Sequence, residues 1–387
     1  MKLQDACEFI VDCPHSTAND EGEGYPLIRT PNIGKGRLIL DGVHRVSEQV
    51  YNQRNARGIP QDDDLIFARE APAGNVAIIK NGEKVCLGQR TVLIRPNKSL
   101  ADPDFLTYYL LAPQQQYGLT GTANGATVAH VNLPTIRNLE IDLPEIETQK
   151  SIASILKSID DLIENNQKQI SLYEEAAQRL YKEWFVDLRF PGYENKLIVD
   201  GIPDGWHQTT LSEIANVTMG QSPKSEFYND NQEGLPFHQG VGSYGERFVV
   251  DGIYSSSFTR IAEANSILFS VRAPVGRLNI TKNKIVIGRG LAAITHKKGH
   301  QSFLFYLLKD KFFKEDIVGN GSIFASITKD ELLKQKCIIP TEELEEAYDS
   351  FVKPTDAKIR TLDEANRLLN EARDRLLPKL MSGEIEI

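Results

Sequence analysis

A metal-dependent nuclease needs two carboxylates on Mg²⁺ and a lysine beside the attacking water. In this 387-residue chain the nearest match is Asp187 followed by Glu194-Asn195-Lys196. It lies in "VDLRFPGYENKLIVDGIPDGW", which reads as a linker, and acids at such loose spacing arise by chance in most charged chains. The sequence has no Gly-x-x-x-x-Gly-Lys-Ser/Thr phosphate loop, no His-Glu-x-x-His and no Gly-x-Ser-x-Gly. It also lacks the Asn/Asp-Pro-Pro-Tyr tetrapeptide with which amino-methyltransferases grip a flipped adenine. Cys7, Cys13, Cys86 and Cys337 form no Cys-x-x-Cys pair and have no histidine at ligand spacing, which implies reduced thiols and no metal site. These residues describe a binding protein without chemistry of its own.

The elements that would carry such binding are written twice. "LIFAREAPAG" (Leu65 to Gly74) is echoed by "ILFSVRAPVG" (Ile267 to Gly276). "VCLGQRTVLI" and "IVIGRGLAAI" follow, then "FLTYYLL" and "FLFYLLK", then "ANGATVAHVN" and "GNGSIFASIT". Blocks that keep order and spacing mark a tandem duplication of a unit of roughly 140 residues.

Each copy is followed by a long helical pattern. In the first, Ile152, Ile155, Ile159, Leu162, Asn166, Ile170, Tyr173, Leu180 and Trp184 form a seam for a second helix. The two four-residue steps around Asn166 read as a stutter. The second pattern offers Ile359, Leu362, Asn366, Leu369, Leu376 and Leu380. Pro354 is expected to break this helix or mark its start, and Pro378 to disturb its last turn. At 1.5 Å per residue the first pattern is roughly 50 Å long, which suits an antiparallel pair acting as a spacer. The domains expected are therefore 1–143, a helical region 144–190, 191–340, and a helical region 341–387. The fold class is α+β: two mixed globular domains joined by two long antiparallel helices, as a pseudo-twofold tandem repeat.

The net charge of −9 argues by itself against nucleic acid. Most of the excess acid is on the helices, in runs such as "EELEEAYD", which leaves the globular units near neutral. Hydrophobic content of 41% and charged content of 25%, with no apolar run of spanning length, give the expectation of a cytoplasmic protein.

Several phrases carry a resemblance: "LPEIETQKSIASIL", "LYKEWFVDLRFPG", "RLLPKLMSGEIEI", and in the second unit "GQSPKSEFYN" and "GLPFHQG". They resemble the specificity subunit of type I restriction–modification systems, over essentially the whole chain. The resemblance implies two target-recognition domains that each read half of a bipartite DNA site, with the family's conserved helices setting the spacer. It further implies two docked methyltransferase subunits that carry S-adenosylmethionine and methylate adenine, with restriction (translocase/endonuclease) subunits joining. This chain itself would bind no cofactor.

Base edges are read by Arg on guanine and Asn or Gln on adenine, presented from loops. Candidates in the first unit are His15, Ser16, Thr17, Arg29, Thr30, Asn32, Arg69, Arg90 and Asn124. Those in the second are Gln221, Ser222, Lys224, Tyr228, His238, Gln239, Arg272, Arg289 and Asn320. Asn124 and Asn320 precede or follow glycine in turn-like stretches, so a turn role stays open. Arg69 and Arg272 flank the Ala-Pro-x-Gly turn and could simply hold it. Three other readings also stay open: a specificity chain serving a fused restriction–methylation enzyme, a Mg²⁺-dependent nuclease, and a scaffold joining two protein-binding domains.

Overall fold

A computed structural model describes residues 1–121, 130–312 and 326–387. The chain divides into two compact units: residues 1–167 with 363–387, and residues 168–362.

The first unit is built on a four-stranded antiparallel sheet, ordered Cys7–Asp12, Thr91–Pro96, Leu65–Ala68, Val76–Ile78. "LIFA" is apolar throughout because its strand is covered on both faces. Leu65 and Phe67 face a core that includes Phe105, Leu106 and Leu110, whereas Ile66 and Ala68 face Ile28, Val85 and Leu87. Beneath that second face, Tyr25–Ile28 pairs in parallel with Cys86–Leu87. The helix Pro103–Leu111 starts at Asp102, whose carboxylate accepts from Phe105 N at 2.9 Å.

The second unit repeats the plan. Its sheet is ordered Ala215–Met219, Leu291–His296, Ile267–Ser270, Leu278–Ile280, and Leu235–His238 pairs in parallel with Ile285–Ile287. The duplication read from sequence is thus a duplication of topology. The fold class is α+β in tandem, as expected.

The two long helices are Ile146–Tyr181, 36 residues, and Glu342–Met381, 40 residues. Each gives part of its length to each unit. In the first unit Ile152, Ala153 and Leu156 share a core with Leu376, Leu377 and Leu380, while Asn166 Nδ2 donates to Asn366 Oδ1 at 2.9 Å. The two stretches therefore run antiparallel. In the second unit Ile170 packs with Ile359 and Leu362, and Tyr348 OH donates to Ala177 O at 2.9 Å, again antiparallel.

Three helix expectations are corrected. Ile155 and Leu162 are exposed, and the buried positions are their neighbours Leu156 and Ile163. Ile or Leu stands at both members of each pair, so residue type gives no phase; the tertiary contact chooses it. With Ile159, Ile163, Asn166 and Ile170 on the seam, the steps alternate four and three, and the stutter at Asn166 disappears. Pro354 is exposed inside a continuous helix that begins at Glu342. Buried Tyr348, Val352 and Ile359 hold the segment on either side of it, and tertiary packing outweighs the missing hydrogen bond. The helix also runs through Pro378 to Met381.

Candidate nucleic-acid interface

In each unit the same end of the sheet gathers the loops that carry most of the candidate side chains. This is the end where the first and second strands in sequence order finish and the other two begin. Glycines let the backbones meet there. A Cβ on Gly88 would lie 2.4 Å from Ile28 O, and one on Gly290 2.3 Å from Gln239 O.

In the first unit, Gly88 N donates to Ile28 O at 2.8 Å and Arg69 N to Arg90 O at 3.0 Å. Thr17 Oγ1 donates to Gln89 Oε1 at 3.1 Å, and Gln89 Nε2 to His15 O at 3.3 Å. His15, Ser16 and Thr17 are exposed. His15 also contacts Asp12 at 3.1 Å, and Arg54 Nη1 donates to Ser16 Oγ at 3.3 Å. Arg90 is exposed and pairs with Glu70 at 2.7 Å.

Other candidates turn inward. Asn32 is buried; its Oδ1 accepts from Arg29 N, and its Nδ2 donates to Ile39 O, both at 3.1 Å. Thr30 is buried beside it, and Arg29 is half-buried with its Nε enclosed. Arg69 is buried and donates through Nε to Val131 O at 2.9 Å, so it holds the turn from inside.

In the second unit, Gly288 N donates to His238 O at 2.8 Å, Gly290 N to Gln239 O at 3.1 Å, and Val271 N to Gly290 O at 2.9 Å. Ser222 Oγ accepts from Arg289 N at 3.2 Å. A cleft of about 170 Å³ opens among Gln239, Gly240, Val241, Ser270, Arg272, Ala273 and Gly290. Gln221, Gln239, Arg272 and Arg289 are exposed around these loops. Lys224 is exposed 3.7 Å from Glu226. Tyr228 stacks on Phe237 at 4.7 Å and donates to Pro223 O at 2.9 Å, fixing the loop before it. His238 is buried, with Nδ1 at 2.8 Å from Ser243 Oγ and Nε2 at 2.9 Å from Asp251 Oδ1. Its ring braces the fold and is not displayed to solvent. Asn124 and Asn320 lie outside the described residues.

The two interfaces differ in electrostatics. Asp12 faces His15, Arg57 and Arg69, and Glu70 faces Arg90 and His130. Among the described residues, no carboxylate stands within ion-pair distance of Arg272 or Arg289. Sequence reasoning passed over Asp12, Arg57, Glu70 and His130, although Glu70 was legible: it occupies in the first copy the place of Arg272 in the second.

The nuclease trio is not assembled. Asp187 turns to Arg189 at 3.3 Å, and Glu194 and Lys196 are exposed around a separate turn. Among the described residues, no group of three or more His, Cys, Asp or Glu side chains could hold a metal ion, and no helix is long and apolar enough to cross a membrane.

The family model for the type I restriction modification DNA specificity domain matches residues 1–173 and again 203–370. A putative type I restriction enzyme MjaX specificity subunit from Methanocaldococcus jannaschii is 30% identical across 100% of this chain and 93% of its own length. The MjaIX specificity subunit of the same organism is 27% identical over the same shares. The crystal structure of a type I restriction–modification S subunit from M. genitalium is similar in fold, with TM-score 0.57, 17% identity, and 98% and 95% of the two chains covered. With two matches to the domain model and a relative along its whole length, the chain belongs to the DNA specificity subunits of type I restriction–modification systems and carries two recognition domains in tandem.

Proposed function

We propose that each unit reads one half of a bipartite, asymmetric double-stranded DNA site with the loop end of its sheet. The observation that carries this is the convergence, in both units, of the same loops onto the same sheet end, with Arg and Gln side chains displayed there. The long helices set the gap between the half-sites and dock two methyltransferase subunits, which hold S-adenosylmethionine and methylate adenine. Restriction subunits join that complex, and the work is done in the cytoplasm. The chain itself recognises and does not catalyse; methyl transfer and cleavage belong to the docked subunits.

Exchange of residues 1–143 for the corresponding unit of another family member tests the reading. Methylome mapping is expected to show one half-site changed and the other kept, with no methyl transfer by the chain purified away from methyltransferase subunits. A change in both halves, or methylation by the chain alone, would refute it.

A further inference from the structure

Hydrogen bonds set the two copies in register. Arg69 N donates to Arg90 O as Val271 N does to Gly290 O, and Val131 N to Arg69 O as Ile327 N does to Val271 O. Arg69 therefore corresponds to Val271, Glu70 to Arg272, and Arg90 to Gly290.

In the first unit a line of side chains runs from the interior to the surface. Buried Arg69 donates from Nη2 to His130 Nε2 at 3.0 Å. An arginine can only donate, so the imidazole proton sits on Nδ1 and is given to Glu70 Oε1. Glu70 Oε2 then takes the guanidinium of Arg90 at 2.7 Å. Arg90 remains exposed, with N–H groups left for a ligand. Its backbone is left-handed, φ 67°, which is costly for a residue with a side chain. In the second unit Val271 and Gly290 replace both ends of this line.

We propose that Arg90 reads a guanine in the first half-site and that Glu70 and His130 are positioning residues that aim it. This rests on the DNA reading given above. A guanidinium paired through Nη1 with a carboxylate is biased toward one orientation, so less rotamer entropy is lost when its remaining N–H groups fork onto guanine O6 and N7. The same carboxylate would repel a phosphate, so a base edge suits the arrangement better than the DNA backbone does.

The test is selection by the full chain from a pool of randomised duplex DNA, followed by sequencing. Wild type enriches a motif with guanine at one position of the first half-site. Arg90→Ala lowers that preference by ~10- to 100-fold, the range of one bidentate contact, and leaves the other positions alone. Arg90→Lys does not restore it, because an ammonium lacks the fork. Glu70→Gln lowers the same preference by a smaller factor at nearly unchanged total affinity. Arg272→Ala leaves the first half-site intact. Thermal melting confirms that each variant is folded. A uniform loss of binding with an unchanged motif in Arg90→Ala overturns the proposal, as does a wild-type motif in Glu70→Gln. A wild-type chain that binds DNA but enriches no motif overturns sequence reading itself, and this assignment with it.

Discussion

In the first unit Tyr108 OH donates to Asp160 Oδ2 at 2.7 Å, and Asp160 is paired through Oδ1 with Arg373 at 2.9 Å. The helix Pro103–Leu111 is thereby tied to both long helices by a partly buried cluster. In the second unit the corresponding tyrosine, Tyr306, meets Arg247 at 3.2 Å. Arg247 is 3% exposed, lies over Phe305 at 4.1 Å, and pairs with Glu174 of one helix and Asp356 of the other. Gly36 stands where Arg247 does: Ile78 N donates to Gly36 O as Ile280 N does to Arg247 O. A second pair of positions behaves alike. Buried Gln149 accepts from Asp102 N and donates to Leu100 O and Pro144 O. Its counterpart Glu345, like Gln149 the fourth residue of its long helix, is buried and faces His296 at 3.5 Å instead. The duplicated backbone has kept its sheet and register while the polar contacts to the helices have been rewritten. Strand order rests on apolar volume and main-chain hydrogen bonds. A buried polar atom needs only some partner, and many partners serve.

That contrast can be broken most forcefully at Arg247. Arg247→Met strips Glu174, Asp356 and Tyr306 of a shared partner, and the cost to the second unit is expected to be about 3–5 kcal/mol. Asp160→Asn in the first unit keeps a hydrogen-bond acceptor in a wetter site and is expected to cost about 1–2 kcal/mol. Hydrogen exchange of strand amides under urea separates the two units, and equal costs would show that the two attachments are energetically alike. The asparagine pair gives a smaller effect than Arg247. Asn166→Leu leaves the Asn366 amide short of its partner and should cost about 1–3 kcal/mol, whereas the double change to leucine should be near neutral. A double-mutant cycle by chemical denaturation measures the coupling; additive losses would mean the amides do not act together.

The smallest effect concerns pH. Burial raises the Glu345 carboxyl to about 7, and burial with His300 and Lys298 nearby lowers His296 to about 4. The two face each other at 3.5 Å, with Lys298, Glu342 and Asp349 around them. His296 Nδ1 accepts from the Lys298 and His300 amides, so the neutral ring carries its proton on Nε2, toward Glu345. The folded unit retains a proton on Glu345 that the unfolded chain releases above about 4.5. This contribution is full below 4.5 and is lost as pH rises through 7. His296 acts oppositely, with stability present above about 6.5 and lost as pH falls through 4. Glu345→Gln should therefore gain on wild type as pH rises from 5 to 8, by about 1–2 kcal/mol, below the full linkage of ~1.4 kcal/mol per pH unit because water relaxes around the pair. Melting across that range checks it; a constant difference would place the proton elsewhere. The first unit, with no such pair at its corresponding positions, gives no parallel slope.

The sequence by itself determined the duplication, the apolar strands, the two long helices and the absence of catalytic motifs. These are written in residue type and spacing: "LIFA" and "ILFS" are strands buried on both faces wherever they stand, and Asn166 and Asn366 sit at one point of two heptad patterns. Tertiary structure alone chose between Ile155 and Leu156, or between Leu162 and Ile163, because either member of each pair could fill a seam. It alone carried the helix through Pro354, where contacts on both sides offset one lost hydrogen bond. At the loop end of the sheets it drew Asn32 and His238 inward and left Arg90 and Arg272 in water. An asparagine that caps its own loop and one that meets a base share the same letter and turn-like neighbours. Which of them is buried depends on how many partners the fold brings within hydrogen-bond reach, and those partners are distant in sequence.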